Sequence, residues 1–111
     1  MVKYVPERGD LIWLLFSPQS GAEQAGRRPA IVLSPSAYNE KSGLVLVCPV
    51  TSKQKGYPFE VMLKDSLKTS GIVLSDQVRS LDWRAREASF IEHIDEVALA
   101  DILENVRLLL D

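Results

Sequence analysis

Side chains able to do chemistry gather in four short runs of this 111-residue chain, each beside an apolar stretch. The first is Glu23, Gln24, Arg27 and Arg28. There the small residues Ala25 and Gly26 separate a carboxylate and an amide from two adjacent guanidinium groups, just ahead of Pro29 and the run Ala30-Ile31-Val32-Leu33. Pro29 biases Arg28 toward extended backbone. Arg28 is therefore expected at a strand entrance, its backbone held by the sheet while its head reaches a groove. The second run, Thr51-Ser52-Lys53 with Lys55, offers hydroxyls followed by ammonium groups, which can hydrogen-bond and neutralise a phosphate. The third, Asp76-Gln77-Val78-Arg79, alternates as a strand does and would send its side chains to opposite faces. In the fourth, Trp83-Arg84-Ala85-Arg86, an aromatic ring between arginines could stack on an unpaired base. Each run also has a plain structural reading, as a solvated loop, a strand with exposed polar positions or, for Trp83, the edge of a core.

The elements that must position these groups are short. Gly9 and Asp10 open a strand over Leu11-Ile12-Trp13-Leu14-Leu15-Phe16, whose unbroken apolarity predicts burial on both faces, and Ser17-Pro18 ends it. A polar loop over 19–28 leads to a strand over 30–34. Ser34-Pro35 then reads as an N-cap with Pro at the first helical position, opening one or two turns that stop near Gly43. Strands are expected over 44–48, 59–63, 72–75, 76–82 and 86–91. The clearest helix is C-terminal. Asp95 is its N-cap, Ile94 and Leu99 have staple spacing, and Leu99, Ile102, Leu103, Val106, Leu109 and Leu110 form one apolar stripe. Short strands with one terminal helix predict a mostly β or α+β fold, a small bent sheet or barrel covered on one side by the helix, and not a parallel α/β arrangement.

Composition narrows the function classes. A length of 111 residues suits one domain over 1–111 with a single core, and 46% apolar with 25% charged residues is that of a globular chain. No apolar run approaches the roughly 20 residues of a membrane span, and the N-terminus lacks a signal-peptide hydrophobic region. Cys48, the only cysteine, excludes an internal disulfide, suits a reducing cytoplasm and reads as a core residue. Net charge is −2, but six acids against Arg107 alone give the segment from Glu92 onward −5. The preceding part carries +3, from twelve basic and nine acidic side chains. A basic face remains available despite the acidic total. No zinc spacing, phosphate-binding glycine loop or dinucleotide fingerprint occurs, so no cofactor or metal is expected. His93, the sole histidine, lies beside the acidic helix start and reads as structural or solvated. Catalysis would then fall to Glu, Asp, Arg, Ser or Thr.

The order of the motifs is more specific than any one of them. Gly9-Asp10-Leu11-Ile12-Trp13, Glu23-Gln24-Ala25-Gly26-Arg27-Arg28-Pro29-Ala30, Pro49-Val50-Thr51-Ser52, Gly56-Tyr57-Pro58-Phe59-Glu60-Val61, Asp76-Gln77-Val78-Arg79 and Trp83-Arg84-Ala85-Arg86 together resemble the MazF/PemK (Kid) toxins of bacterial toxin–antitoxin pairs, nearest the MazF branch. The resemblance covers nearly the whole chain. It implies an SH3-like β-barrel of the CcdB/PemK type with a C-terminal helix, acting as a homodimer. It also implies a ribosome-independent, metal-independent endoribonuclease that cuts single-stranded RNA at short sequences. The 2′-hydroxyl attacks the adjacent phosphate, leaving a 2′,3′-cyclic phosphate and a 5′-hydroxyl.

Carried over motif by motif, Arg28, Thr51 and Glu23 match catalytic positions. Arg28 could neutralise the phosphorane with its donor fork, Thr51 could orient the phosphate, and Glu23 could take the 2′-hydroxyl proton or read a base edge. Gln24, Arg27, Ser52, Lys53, Lys55, Asp76, Gln77, Arg79, Trp83, Arg84 and Arg86 are candidate RNA contacts. The PemK branch has Arg two residues before its Asp and His at the Glu position; this chain has Leu74 and Glu23. A mechanism built on that Arg/Asp/His set does not transfer. The implied partner is a MazE-like antitoxin with a disordered acidic C-terminal tail, and DNA would be met only through the antitoxin complex. The alternatives are a CcdB-like gyrase poison of the same fold and a non-catalytic SH3-like binding module. The latter usually needs an aromatic-lined groove for Pro-rich peptides, whereas aromatics here are few.

Overall fold

The computed structural model describes residues 3–16, 26–63 and 71–111. In chain order the elements are strands β1 (Asp10–Leu15) and β2 (Arg27–Val32), helix α1 (Ser36–Ser42), and strands β3 (Leu44–Thr51), β4 (Glu60–Met62), β5 (Ile72–Leu74), β6 (Arg79–Asp82) and β7 (Ser89–His93). Helix α2 (Glu96–Leu110) ends the chain. The strands form a seven-stranded sheet ordered β4-β5-β3-β2-β1-β7, with β6 also paired to β3. Every pairing is antiparallel. This is the mostly β, α+β arrangement expected from the pattern of short strands and one terminal helix.

β3 organises the sheet. One edge carries β2, with Ala30 opposite Pro49 and Val32 opposite Val47. The other edge carries β6 along Leu44 to Val47 and then β5 at Val50 and Thr51. A single strand thus serves two successive partners, and the sheet must bend where they change over.

Alternation along the strands sorts the apolar side chains into two layers. Leu11, Ile31, Cys48, Val50 and Val73 pack under α2 with Ile94, Leu99 and Ile102. Ile12, Leu14, Ala30, Val32, Val45, Val47 and Leu81 fill the other layer with Trp83, and Tyr4, Val5, Phe16 and Ala88 lean against it. β1 contributes to both layers, which is why its sequence has no polar face. Completely buried residues such as Ile12, Ile31 and Ile102 each contribute roughly 1.5–3 kcal/mol of transfer free energy.

Three details depart from the sequence reading. β2 begins at Arg27, not Ala30, so Pro29 lies inside the strand opposite Trp13. It is tolerated because the pairing of β2 with β3 starts only at Ala30, so no bond to β3 is lost at Pro29. Residues 75–76 form a turn that the Gln77 N–H closes by donating to the Leu74 carbonyl at 3.1 Å; the expected strand over 76–82 is confined to β6. The N-cap of α1 is Pro35 without a side-chain cap, because Ser34 is engaged elsewhere. Its Oγ donates to Asn39 Oδ1 at 2.6 Å and accepts from the Leu46 N–H at 2.9 Å. The terminal helix starts as expected: Asp95 accepts from the Ala98 N–H at 3.3 Å, with Ile94 and Leu99 buried together.

Buried polar groups fix the N-terminal segment. Asp10, 4% exposed, accepts from the Tyr4 hydroxyl at 2.6 Å and the Glu7 N–H at 3.0 Å, and lies 2.9 Å from His93 Nδ1. Asn39, completely buried, donates to the carbonyls of Pro6 at 2.8 Å and Ser34 at 3.0 Å. Gly9 holds φ +94°, and a Cβ there would lie 2.8 Å from the His93 ring. The backbone therefore passes under the imidazole only as glycine.

Candidate nucleic-acid interface

The pairing register decides which polar side chains meet. Leu14 faces Arg28 across β1 and β2, and continuing the β2–β3 register of Ala30 with Pro49 sets Arg28 beside Thr51. Both lie at the end of the Leu14–Ala30 layer. With Pro29, Val50 and Ser52 they line one open concavity of about 280 Å³. Arg79 projects on the same side, opposite Val47, with its guanidinium carbon 5.3 Å from the Phe16 ring centroid.

A second, deeper recess adjoins the first through Thr51. It encloses about 180 Å³ and is lined by Thr51, Lys53, Lys55, Tyr57, Glu60, Leu74, Asp76 and Gln77. The second and third polar runs, far apart in sequence, are thus brought to one place. Asp76 and Gln77 reach it from the turn after β5, not from alternating strand positions. The loop over 53–57 is held at both ends. The Lys53 N–H donates to Thr51 Oγ1 at 3.2 Å. The Glu60 carboxylate accepts from the Lys55 N–H at 3.1 Å and the Gly56 N–H at 3.0 Å. Tyr57 and Glu60 were quoted from the sequence only within the 56–61 motif and not as site residues; the local signal was the turn pair Gly56 and Pro58 leading into an edge strand.

The arginines divide sharply by what they already bind. Arg8 donates to the Leu33 carbonyl at 2.6 Å, and Arg84 donates to the Glu40 carbonyl at 3.3 Å. Arg86 donates to the carbonyls of Leu15 at 2.9 Å and Phe16 at 3.1 Å, tying the β6–β7 connection to the end of β1. Arg27, next to Arg28 in an extended strand, points to the opposite face. There it lies 5.1 Å over the Trp13 ring and donates to Ser89 Oγ at 3.2 Å. Arg28 is exposed and makes no hydrogen bond or ion pair with another described residue. Among the described residues, nothing occupies its guanidinium, which shares the concavity with Thr51.

Trp83 requires correction. A base-stacking role would need an open ring, but Trp83 is 6% exposed within the second layer, and its indole N–H donates to the Asn39 carbonyl at 2.8 Å. Arg84 covers it, 4.5 Å from the ring centroid. Trp83 completes the core edge, as its plain reading had it. It borders a separate open groove of about 750 Å³, lined also by Lys3, Tyr4 and Glu87, that contains none of the Arg28–Thr51 group. Arg84 and Arg86, also expected as RNA contacts, hold the carbonyls given above. Glu23 and Gln24 lie outside the described residues.

Burial holds the Cys48 thiol in its neutral form. Desolvation, with a smaller contribution from the Asp76 carboxylate, pushes its pKa up to about 12, which disfavours the thiolate a nucleophile needs. Among the described residues, no three His, Cys, Asp or Glu side chains group as a metal site would require. No helix among them is long and apolar enough to cross a membrane.

Comparison with known proteins bears on the family and the fold. The family model described as PemK-like, MazF-like toxin of type II toxin-antitoxin system matches residues 7–110. The endoribonuclease toxin MazF of Escherichia coli (strain K12) is 55% identical over 87 residues, 78% of each chain. The endoribonuclease PemK of Escherichia coli is 35% identical over 109 residues, covering 94% of this chain and 81% of PemK. Among solved structures, MazF (Form-I) from Deinococcus radiodurans superposes with a TM-score of 0.89 at 54% identity, covering 97% of this chain and 98% of that one. MazE-MazF (Form-II) from the same organism gives 0.87 at 49% identity, covering 97% of each chain. With the matched segment spanning nearly the whole fold, the chain belongs to the PemK-like, MazF-like toxins of type II toxin–antitoxin systems.

Proposed function

We propose that the protein is a sequence-specific endoribonuclease toxin that cuts single-stranded RNA without a metal. One observation carries the reading: Arg28, exposed and without a hydrogen bond or ion pair to another described residue, shares a concavity with Thr51, while Arg27, Arg84 and Arg86 already donate to a hydroxyl or to carbonyls. The names of the relatives, endoribonucleases MazF and PemK, support the same reaction.

In the proposed step the ribose 2′-oxygen attacks the adjacent phosphorus as the 2′-hydroxyl loses its proton, and the bond to the 5′-oxygen breaks. The products are a 2′,3′-cyclic phosphate and a 5′-hydroxyl, which takes up a proton. Arg28 places two parallel donors on the phosphorane oxygens as negative charge accumulates. Thr51, with Ser52 beside it, orients the phosphate, and Glu23 is assigned the 2′-hydroxyl proton. Lys53, Lys55, Asp76, Gln77 and Arg79 hold the flanking nucleotides. Lysines neutralise backbone, while the carboxylate and amide can read base edges.

The active form is a cytoplasmic homodimer in this reading, restrained by a cognate antitoxin whose acidic tail competes for the same cations. The MazE-MazF structures from Deinococcus radiodurans support such a partner. The test is incubation of purified protein with naked RNA, followed by analysis of the ends. Cutting that survives excess EDTA, stops with a 2′-deoxy sugar at the cleaved position and leaves a cyclic phosphate is expected. Chelator-sensitive cutting, or cutting of the deoxy substrate, would replace this mechanism with metal-assisted hydrolysis.

A further inference from the structure

Glu60 is out of place in a groove meant for a polyanion. It begins β4 opposite Leu74, and its side chain lines the recess shared by Thr51, Lys53, Lys55 and Asp76. By charge alone it should repel the RNA backbone that the lysines attract. Its contacts give it another task. Oε1 accepts from the N–H groups of Lys55 at 3.3 Å and Gly56 at 3.0 Å, and Oε2 accepts from Lys55 at 3.1 Å. Its own N–H donates to the Tyr57 carbonyl at 3.2 Å.

The loop cannot hold this shape unaided. Gly56 sits at φ +82°, a left-handed conformation, although a Cβ there would meet nothing within 4 Å. Glycine is needed for the turn and not for space. The two successive N–H groups point inward as an anion-binding concavity, and Glu60 fills it. Tyr57, 60% exposed, is carried on the same turn.

We propose that Glu60 is a positioning residue of the RNA groove. Its carboxylate clamps the backbone of Lys55 and Gly56, so that Lys55 and Tyr57 line the recess beside Thr51. The inference rests on the endoribonuclease reading and deepens it: Glu60 acts through the loop and touches neither phosphate nor base. Charge and reach can be separated. Glu60→Asp keeps the charge but falls one methylene short of the two N–H groups. Glu60→Gln removes the charge but keeps an acceptor at the right distance.

The probe is an RNA oligonucleotide bearing the cleavage word read from 5′-end sequencing, with a 2′-deoxy sugar at the cleaved position. For Glu60→Ala and Glu60→Asp, its Kd should rise about tenfold, the loss expected for about 1.4 kcal/mol, with kcat on cleavable RNA nearly unchanged. Glu60→Gln should bind as well as the unmodified protein or better. Hydrogen exchange at the Lys55 and Gly56 amides should accelerate in the Ala and Asp variants while the urea midpoint holds. In a Lys55→Ala, Tyr57→Ala background, Glu60→Ala should add little, because the groups it positions are gone.

Tighter binding by both Ala and Gln variants would show Glu60 to be only a repulsive charge and would overturn the proposal, as would an Asp variant that binds like the unmodified protein. RNA left uncut by the unmodified protein would sink the endoribonuclease reading and this inference with it. Cutting with an indifferent Glu60 would sink the inference alone.

Discussion

Replacing Arg28 with alanine separates chemistry from folding because the side chain is exposed and has no partner among the described residues. Nothing buried is left unsatisfied, and the strand pairing with Leu14 involves only backbone. The stability change should therefore stay within about 0.5 kcal/mol, the range of surface substitutions. The transition state loses its main donor, which is typically worth about 3 kcal/mol, on the order of a hundredfold in rate. Arg28→Lys restores the charge but not the second parallel bond, and should remain about tenfold below the unmodified protein. The assay is single-turnover cleavage of a short RNA whose other riboses are 2′-deoxy, with urea unfolding of each variant alongside. An alanine variant cleaving within a few-fold of the unmodified protein, with the same urea midpoint, would refute the placement of Arg28 at the reacting phosphate. A lysine variant as fast as the unmodified protein would refute the role of the fork.

Asn39→Ala should cost about 3 kcal/mol or more, read by urea unfolding, because the carbonyls of Pro6 and Ser34 and the Ser34 hydroxyl all lose a buried partner. Cys48 should resist iodoacetamide at pH 8 in the native protein and react fully in urea, since its thiol is buried with its pKa pushed up to about 12; mass spectrometry reads the difference. The Tyr4 phenol is raised above its usual range, first by burial and then by its bond to Asp10. The folded state thus favours the protonated phenol. Its contribution is complete below about pH 10 and lost progressively as the pH rises further. Tyr4→Phe should be less stable at pH 7 and should lack this part of the alkaline decline in unfolding free energy.

The terminal helix was legible because its signals are local, an N-cap, a staple and a stripe within one element, although the stripe packs only from Leu99 to Val106 and its expected end, Leu109 and Leu110, is exposed. Strand identities were legible for the same reason, but their ends were not. Pro29 falls inside β2 and Pro49 inside β3, since a proline interrupts a strand only where its missing N–H would have met a neighbour. Sequence cannot show which edge that is. The turn at 75–76 escaped notice because alternating residues look the same in a strand and around a turn. At the site, Arg28 was marked by its place before Pro29 and Thr51 by its hydroxyl ahead of lysines, while their proposed roles come from the motif resemblance; residue type alone did not distinguish Arg28 from Arg27, which faces the other way. Asn39 and Glu60 were invisible because their importance lies wholly in nonlocal backbone partners.

The bend in β3 has a consequence for how the protein can lose activity. Val47 is paired on both edges, and Thr51 closes the same strand, so the Thr51 side of the cleft belongs to the element that joins both apolar layers. Segmental opening frees termini and loops first and reaches such a strand only with global unfolding. Amide protons along residues 45–50 should accordingly be among the slowest to exchange, while those of the 53–57 loop exchange by local motion. In a denaturant series, cleavage and the bulk fold should then disappear at one midpoint, and on the role proposed for the loop RNA affinity should weaken before either. An inhibitor of this protein has little to gain by prying the cleft apart, and must work by occupying it.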